Sequence, residues 1–136
     1  MAFVNAQELR VFPQAILVVE DEALVRMDTA ASLREGGYFV CAAANASDAI
    51  NWLQSEPPID LLFTDINLGK GMSGVDLAES ALTHRPTMAV LVTTGDALRS
   101  SLPLALGPIL AKPYTVVELL KRVRQALASD DGFSGS

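Results

Sequence analysis

Residues 16–22, ILVVEDE, pose the problem this sequence has to solve. Four apolar residues, Ile16 to Val19, run directly into three carboxylates, Glu20, Asp21 and Glu22. The apolar run is too brief for a helix and reads as a buried strand. A buried strand should not end in a knot of like charge. Two carboxylates about 4 Å apart repel by roughly 4 kcal/mol at an effective dielectric of about 20. Something must gather them, and a divalent cation is the obvious group.

Outward from that stretch, strand-like and helix-like segments alternate. EALVRMDTAASLREGG (22–37) carries Leu24, Met27, Ala31 and Leu33 as a roughly helical stripe and stops at Gly36-Gly37. YFVCAA (38–43) is a second strand. NASDAINWLQS (45–55) is a helix with Asn45 as N-cap and Ile50 and Leu53 on its inner face, ended by Pro57-Pro58. IDLLFT (59–64) is a third strand, GVDLAESALTHR (74–85) a helix closed by Pro86, and MAVLVTT (88–94) a fourth strand. ILA (109–111) is a short fifth strand. TVVELLKRVRQAL (115–127) is the last helix, with Thr115 and Glu118 spaced as a capping box. Residues 1–14 read as an N-terminal extension, 15–128 as one domain and 129–136 as a flexible tail.

Apolar strands alternating with amphipathic helices indicate a parallel sheet covered on both faces. Five such units suit an open, doubly wound α/β sheet. There, ligands sit beyond the carboxyl ends of the strands, where strand order reverses. Strand one ends in Glu20-Asp21, strand three in Thr64-Asp65 followed by Ile66-Asn67, strand four in Thr93-Thr94-Gly95, and strand five in Lys112-Pro113. Carboxylates, a hydroxyl and an ammonium therefore converge on one rim. Asp60 opens strand three and belongs to the opposite rim, as a solvated strand-start residue.

Composition narrows the function. A chain of 136 residues, half of them hydrophobic, is globular, and its net charge of −6 gives no footprint for nucleic acid. The longest apolar run, Leu102 to Ala111, is short and broken by Pro103, Gly107 and Pro108, so no bilayer span is expected. No signal peptide is visible, and the single Cys41, read as a buried structural thiol, fits a reducing cytoplasm. The only histidine, His84, lies near a helix end and reads as a surface residue. Without His or Cys at the rim, neither a zinc site nor a hydrolase triad can be assembled. GKGMSG lacks the spacing of a phosphate-binding P-loop.

Oxygen-bearing acids suit a hard cation such as Mg²⁺. What remains is phosphoryl transfer. Metal and lysine neutralise phosphate oxygens, a hydroxyl bonds one of them, and a carboxylate attacks in line. Asp65, central on the middle strand, is the expected nucleophile. The bland alternative, an acidic rim that is merely solvated, leaves Lys112 and Thr94 at the same edge unexplained.

VVEDE, LLFTDINL, TTGD and AKPY, in that order and spacing, resemble the receiver domain of bacterial two-component response regulators over about residues 15 to 128. The resemblance implies a flavodoxin-like (βα)₅ fold and phosphorylation of Asp65 by a histidine on a sensor kinase or phosphotransfer protein. It also implies Mg²⁺ held by Asp21, Asp65 and the backbone carbonyl of Asn67, with Glu20 acting largely through water. Lys112 would pair with the phosphoryl group. Thr94 rather than Thr93 matches the switch hydroxyl, because the small residue Gly95 follows it.

Three departures stand out. The loop INLGKGMSG after Asp65 is one residue longer than the commonest form. Ile109 stands where many receivers carry an aromatic switch residue. Only seventeen residues, 95 to 111, separate Thr94 from Lys112 and they include Pro103, so a shortened or irregular fourth helix is expected. The expected function is a phosphoacceptor in His-Asp signalling, not an enzyme, acting on a downstream protein target without nucleic acid or membrane. It would be free-standing or excised from a larger protein. The alternative is a small Mg²⁺-dependent phosphohydrolase, which would need an acid where Asn67 stands.

Overall fold

The computed structural model describes residues 13–55, 58–69, 71–95 and 108–132. Its strands are β1 (Ala15–Val19), β2 (Phe39–Ala43), β3 (Leu61–Asp65), β4 (Ala89–Thr94) and β5 (Ile109–Ala111). The helices among these residues are α1 (Ala23–Glu35), α2 (Ala46–Leu53), α3 (Gly74–His84) and α4 (Val116–Gly132). The five strands are all parallel and lie in the order β2-β1-β3-β4-β5. Strand order therefore reverses between β1 and β3, the two strands that deliver the acids.

Alternation along each strand builds two cores. Leu17, Val19 and Leu62 pack with Ala49 and Leu53 of α2 and Leu77, Ala78 and Ala81 of α3. Ile16, Val18, Leu61, Phe63 and Leu91 pack on the other face with Ala30 and Leu33 of α1 and Leu119, Val123 and Leu127 of α4. Both faces of β1 and β3 are covered, which is why their sequences are continuously apolar. Each fully buried Leu, Ile or Val side chain contributes about 1.5–3 kcal/mol. That burial offsets the cost of assembling charge at the strand ends.

Local signals place the helices. Asn45 caps α2 by accepting from Asp48 N at 2.8 Å. Thr115 and Glu118 form the expected reciprocal box, with Thr115 N on Glu118 Oε1 and Glu118 N on Thr115 Oγ1, each at 3.0 Å. Ser73, not singled out in the sequence, caps α3 through Asp76 N at 3.1 Å.

Four expectations need correction or fall outside the described residues. The stripe of α1 is only in part its inner face: Leu33 is buried, but Leu24 is 82% and Met27 65% exposed and Ala31 is exposed, while Thr29 and Ala30, outside the stripe, are buried. Asp60 is not merely solvated. Its Oδ2 accepts from Ala15 N at 2.7 Å and its backbone bonds both Ala15 and Ala89, so it pins the start of β1 to β3. The last helix continues to Gly132, past residue 129 where the tail was expected to begin. The segment 96–107, where a shortened helix was expected, lies outside the described residues, as does most of the N-terminal extension. No helix of the described residues is long and apolar enough to cross a membrane.

Candidate functional site

Glu20 leaves β1 and stays 3% exposed. Its Oε1 accepts from Lys112 Nζ at 2.7 Å and its Oε2 from Glu22 N at 3.1 Å, while Arg26 Nη1 donates to its carbonyl at 2.9 Å. Asp65 closes β3 and is buried. Its Oδ2 accepts from Lys112 Nζ at 2.7 Å and its Oδ1 from Asn67 N at 3.0 Å. Asp21 is exposed beside them. Glu20, Asp21 and Asp65 can each present one oxygen, all within 4.8 Å of one another. The rim read from the sequence is a real cluster.

Lys112 follows β5, its N–H bonded to Thr94 O at 2.9 Å. Its side chain reaches across β4 to the acids. The stem passes Gly95, where an added Cβ would sit 3.7 Å from Lys112 Cβ. The small residue after Thr94 thus leaves a path for the lysine. Thr94 itself is buried at the end of β4. Lys112 has two carboxylate partners, Glu20 and Asp65, before any phosphoryl group is present.

Three carboxylates face one ammonium, and the pKa directions express that imbalance. Burial pushes the Glu20 carboxyl up; its bonds from Lys112 and Glu22 pull it back, and the Asp65 charge adds to the rise. For Lys112, burial favours the neutral form, but hydrogen bonds and charge from Asp65 and Glu20 outweigh it and lift the pKa above the ordinary lysine range. A raised lysine pKa means the pair's stabilisation is complete below about pH 10 and lost as pH rises beyond it. The all-oxygen donor set and the excess negative charge suit a hard divalent cation such as Mg²⁺.

Lys112→Ala is expected to destabilise the metal-free protein by about 3 kcal/mol, because it strands Glu20 and Asp65 together. Millimolar Mg²⁺ should restore most of that loss. Thermal melts with and without Mg²⁺ check this, and a variant as stable as wild type without metal would contradict it.

The sequence did not reveal several supporting residues. Tyr114 packs edge-on against Phe63, ring centroids 6.0 Å apart, and its hydroxyl bonds Thr29 Oγ1 on α1 at 2.9 Å. Gly74 opens α3 against the Asp65 backbone, its N–H on Ile66 O at 2.8 Å. A Cβ there would lie 2.0 Å from Asp65 O. Asn67 Oδ1 accepts from Gly69 N at 3.1 Å and shapes the loop beyond Asp65. His84 is exposed at the far end of α3, and Cys41 is buried, which raises its thiol pKa.

Comparison with known proteins agrees with this geometry. The family model of the response regulator receiver domain matches residues 16–124. A probable transcriptional regulatory protein of Picosynechococcus sp. is 34% identical over 122 residues, covering 82% of this chain and 48% of that protein. The chain spans about half the length of the curated relatives it matches. A CheY-like receiver domain protein of Methanospirillum hungatei superposes with a TM-score of 0.81 at 28% identity, covering 90% of this chain and 99% of that one. The response regulator TrrA of Thermotoga maritima, solved in complex with Mg²⁺ and BeF, gives a TM-score of 0.74 at 27% identity, covering 84% and 99%.

Proposed function

The chain belongs to the response regulator receiver domain family of two-component signalling, and from that premise we propose that Asp65 is the carboxylate that accepts its phosphoryl group. The observation that carries this is Asp65 itself. It is buried at the strand-order reversal, bonded to Lys112 at 2.7 Å and grouped with Glu20 and Asp21. In the reaction, an Asp65 oxygen attacks phosphorus in line, the P–N bond to the donor histidine breaks, and a P–O bond to Asp65 forms. Lys112 then follows the negative charge onto the phosphoryl oxygens. Thr94, at the end of β4, supplies the hydroxyl that bonds one of them.

Glu20, Asp21 and Asp65, with the backbone carbonyl of Asn67, would hold Mg²⁺, whose charge offsets that of the phosphoryl oxygens. Asn67 N holds Asp65 Oδ1, and the Lys112 and Glu22 bonds fix Glu20. Position 67 carries an amide rather than a second acid, which supports a phosphoacceptor over a hydrolase. The phosphorylated form acts by engaging a downstream protein. Incubation with Mg²⁺ and a small phosphoryl donor such as phosphoramidate should add one phosphoryl group per chain, labile to hydroxylamine. Steady turnover of small phosphate esters would overturn the reading.

The donor protein docks beside the site. Leu24 and Met27 project from the first turns of α1, immediately after Asp21, and Met72 (38% exposed) lies in the loop beyond Asp65. Apolar side chains beside a charged site mark a contact surface. Leu24→Glu with Met27→Glu should therefore slow phosphotransfer from a phosphorylated histidine kinase at least about ten-fold. Labelling by phosphoramidate should stay within about two-fold of wild type, because the chemistry is untouched. Equal losses from both donors would place the defect in the site instead.

A further inference from the structure

Thr93 lies on β4, the strand that the Lys112–Asp65 bridge crosses, and takes no part in the bridge. It is the register partner of Asp65 on β3 and of Leu110 on β5. Register partners point to the same face, so Thr93 and Asp65 share one. Lys112, two residues beyond Leu110, must span two strand spacings, about 9–10 Å, to reach Asp65. Thr93 is the β4 residue at that crossing. It is 2% exposed, and among the described residues its Oγ1 has no hydrogen-bond partner. Valine would have filled the same space with no hydroxyl to leave unsatisfied. An orphaned buried donor beside a reactive carboxylate calls for an account.

Phosphorylation supplies one. The negative charge moves from the Asp65 carboxylate out to the phosphoryl oxygens, and the ammonium of Lys112 moves with it. The Asp65 carbonyl oxygen that Lys112 gives up would face the cation with one lone pair, and its second lone pair, on the side Lys112 leaves, stays buried and needs a donor. We propose that Thr93 is a positioning residue whose hydroxyl takes over that oxygen in the phosphorylated state, holding the acyl phosphate in line with Lys112 and the acids. Thr94, one residue nearer the rim, is assigned to a phosphoryl oxygen and does not fill this role. The inference rests on Asp65 being the phosphoacceptor.

The test uses the whole chain with Mg²⁺ and beryllofluoride, a mimic of the phosphoryl group, followed by amide NMR shifts. Thr93→Val should bind the mimic about five-fold more weakly, the worth of one neutral hydrogen bond. Thr93→Ser should stay within about two-fold of wild type, because it keeps the hydroxyl. Without the mimic, Thr93→Val should melt no lower than wild type, since the hydroxyl has no partner to lose. Unchanged affinity in Thr93→Val overturns the proposal. So does an equal loss in Thr93→Ser, or a lowered melting temperature of unliganded Thr93→Val. A wild-type chain that binds no beryllofluoride instead defeats the phosphoacceptor reading, and this inference with it.

Discussion

Asp65→Asn is expected to abolish uptake of a phosphoryl group, leaving labelling at least about three orders of magnitude below wild type. The amide is close in shape to the carboxylate but is not a nucleophile, and among the described residues no other side chain combines the same burial with the same partners. Asp21 is exposed, and Glu20 is held on Lys112 and on the Glu22 N–H. The fold should survive the change. The amide oxygen can still accept from Asn67 N, and Lys112 keeps its 2.7 Å bond to Glu20. One negative charge leaves a crowded cluster, so the variant should melt within a few degrees of wild type or above it. Quantitative labelling by phosphoramidate, with mass mapping of the modified residue, decides the matter. Normal stoichiometry on a different residue would remove Asp65 from the role.

Gly74→Ala is expected to have the second largest effect. The added Cβ would fall 2.0 Å from Asp65 O and 2.8 Å from both Asp65 C and Ile66 Cα. These are backbone atoms, so no flexible side chain can swing aside. Either α3 withdraws and strains the 2.8 Å bond from Gly74 N to Ile66 O, or the end of β3 shifts. Overpacking of this kind costs about 1–3 kcal/mol or more. A displacement of about 1 Å in a reacting group can cost about 100-fold in rate. The variant should therefore melt several degrees lower and, at a temperature where it is folded, accept phosphate about 100-fold more slowly. A folded variant with wild-type labelling kinetics would show that the glycine serves packing alone.

The rim was legible because the sequence states it directly. Apolar runs end in Glu20-Asp21, Asp65, Thr94 and Lys112, and parallel pairing puts those ends on one side. Even β5, three residues long, was visible as ILA between Pro108 and Lys112. The inner face of α1 was legible only at Leu33. Leu24 and Met27 have helical spacing, but an apolar stripe marks a buried face only when nothing else needs it, and this one borders the site. Thr29 is buried instead because Tyr114, 85 residues away in sequence, supplies its hydrogen bond. Gly74 and Asp60 escaped for a similar reason: each acts on a backbone atom of another element, Gly74 at the end of β3 and Asp60 at the start of β1, which no local pattern encodes.

The placement of Lys112 beyond β5 also orders events in time. β1 and β3 can pair once about the first half of the chain has been made, and that pairing brings Glu20, Asp21 and Asp65 together. The ammonium arrives only when β5 pairs with β4, the last strand pairing along the chain. Parallel pairings need completed crossovers and form slowly. Until β5 docks, Glu20, Asp21 and Asp65 face one another without the ammonium that pairs with two of them. The last strand made therefore completes the charge balance of a site whose acids come from the first half of the chain.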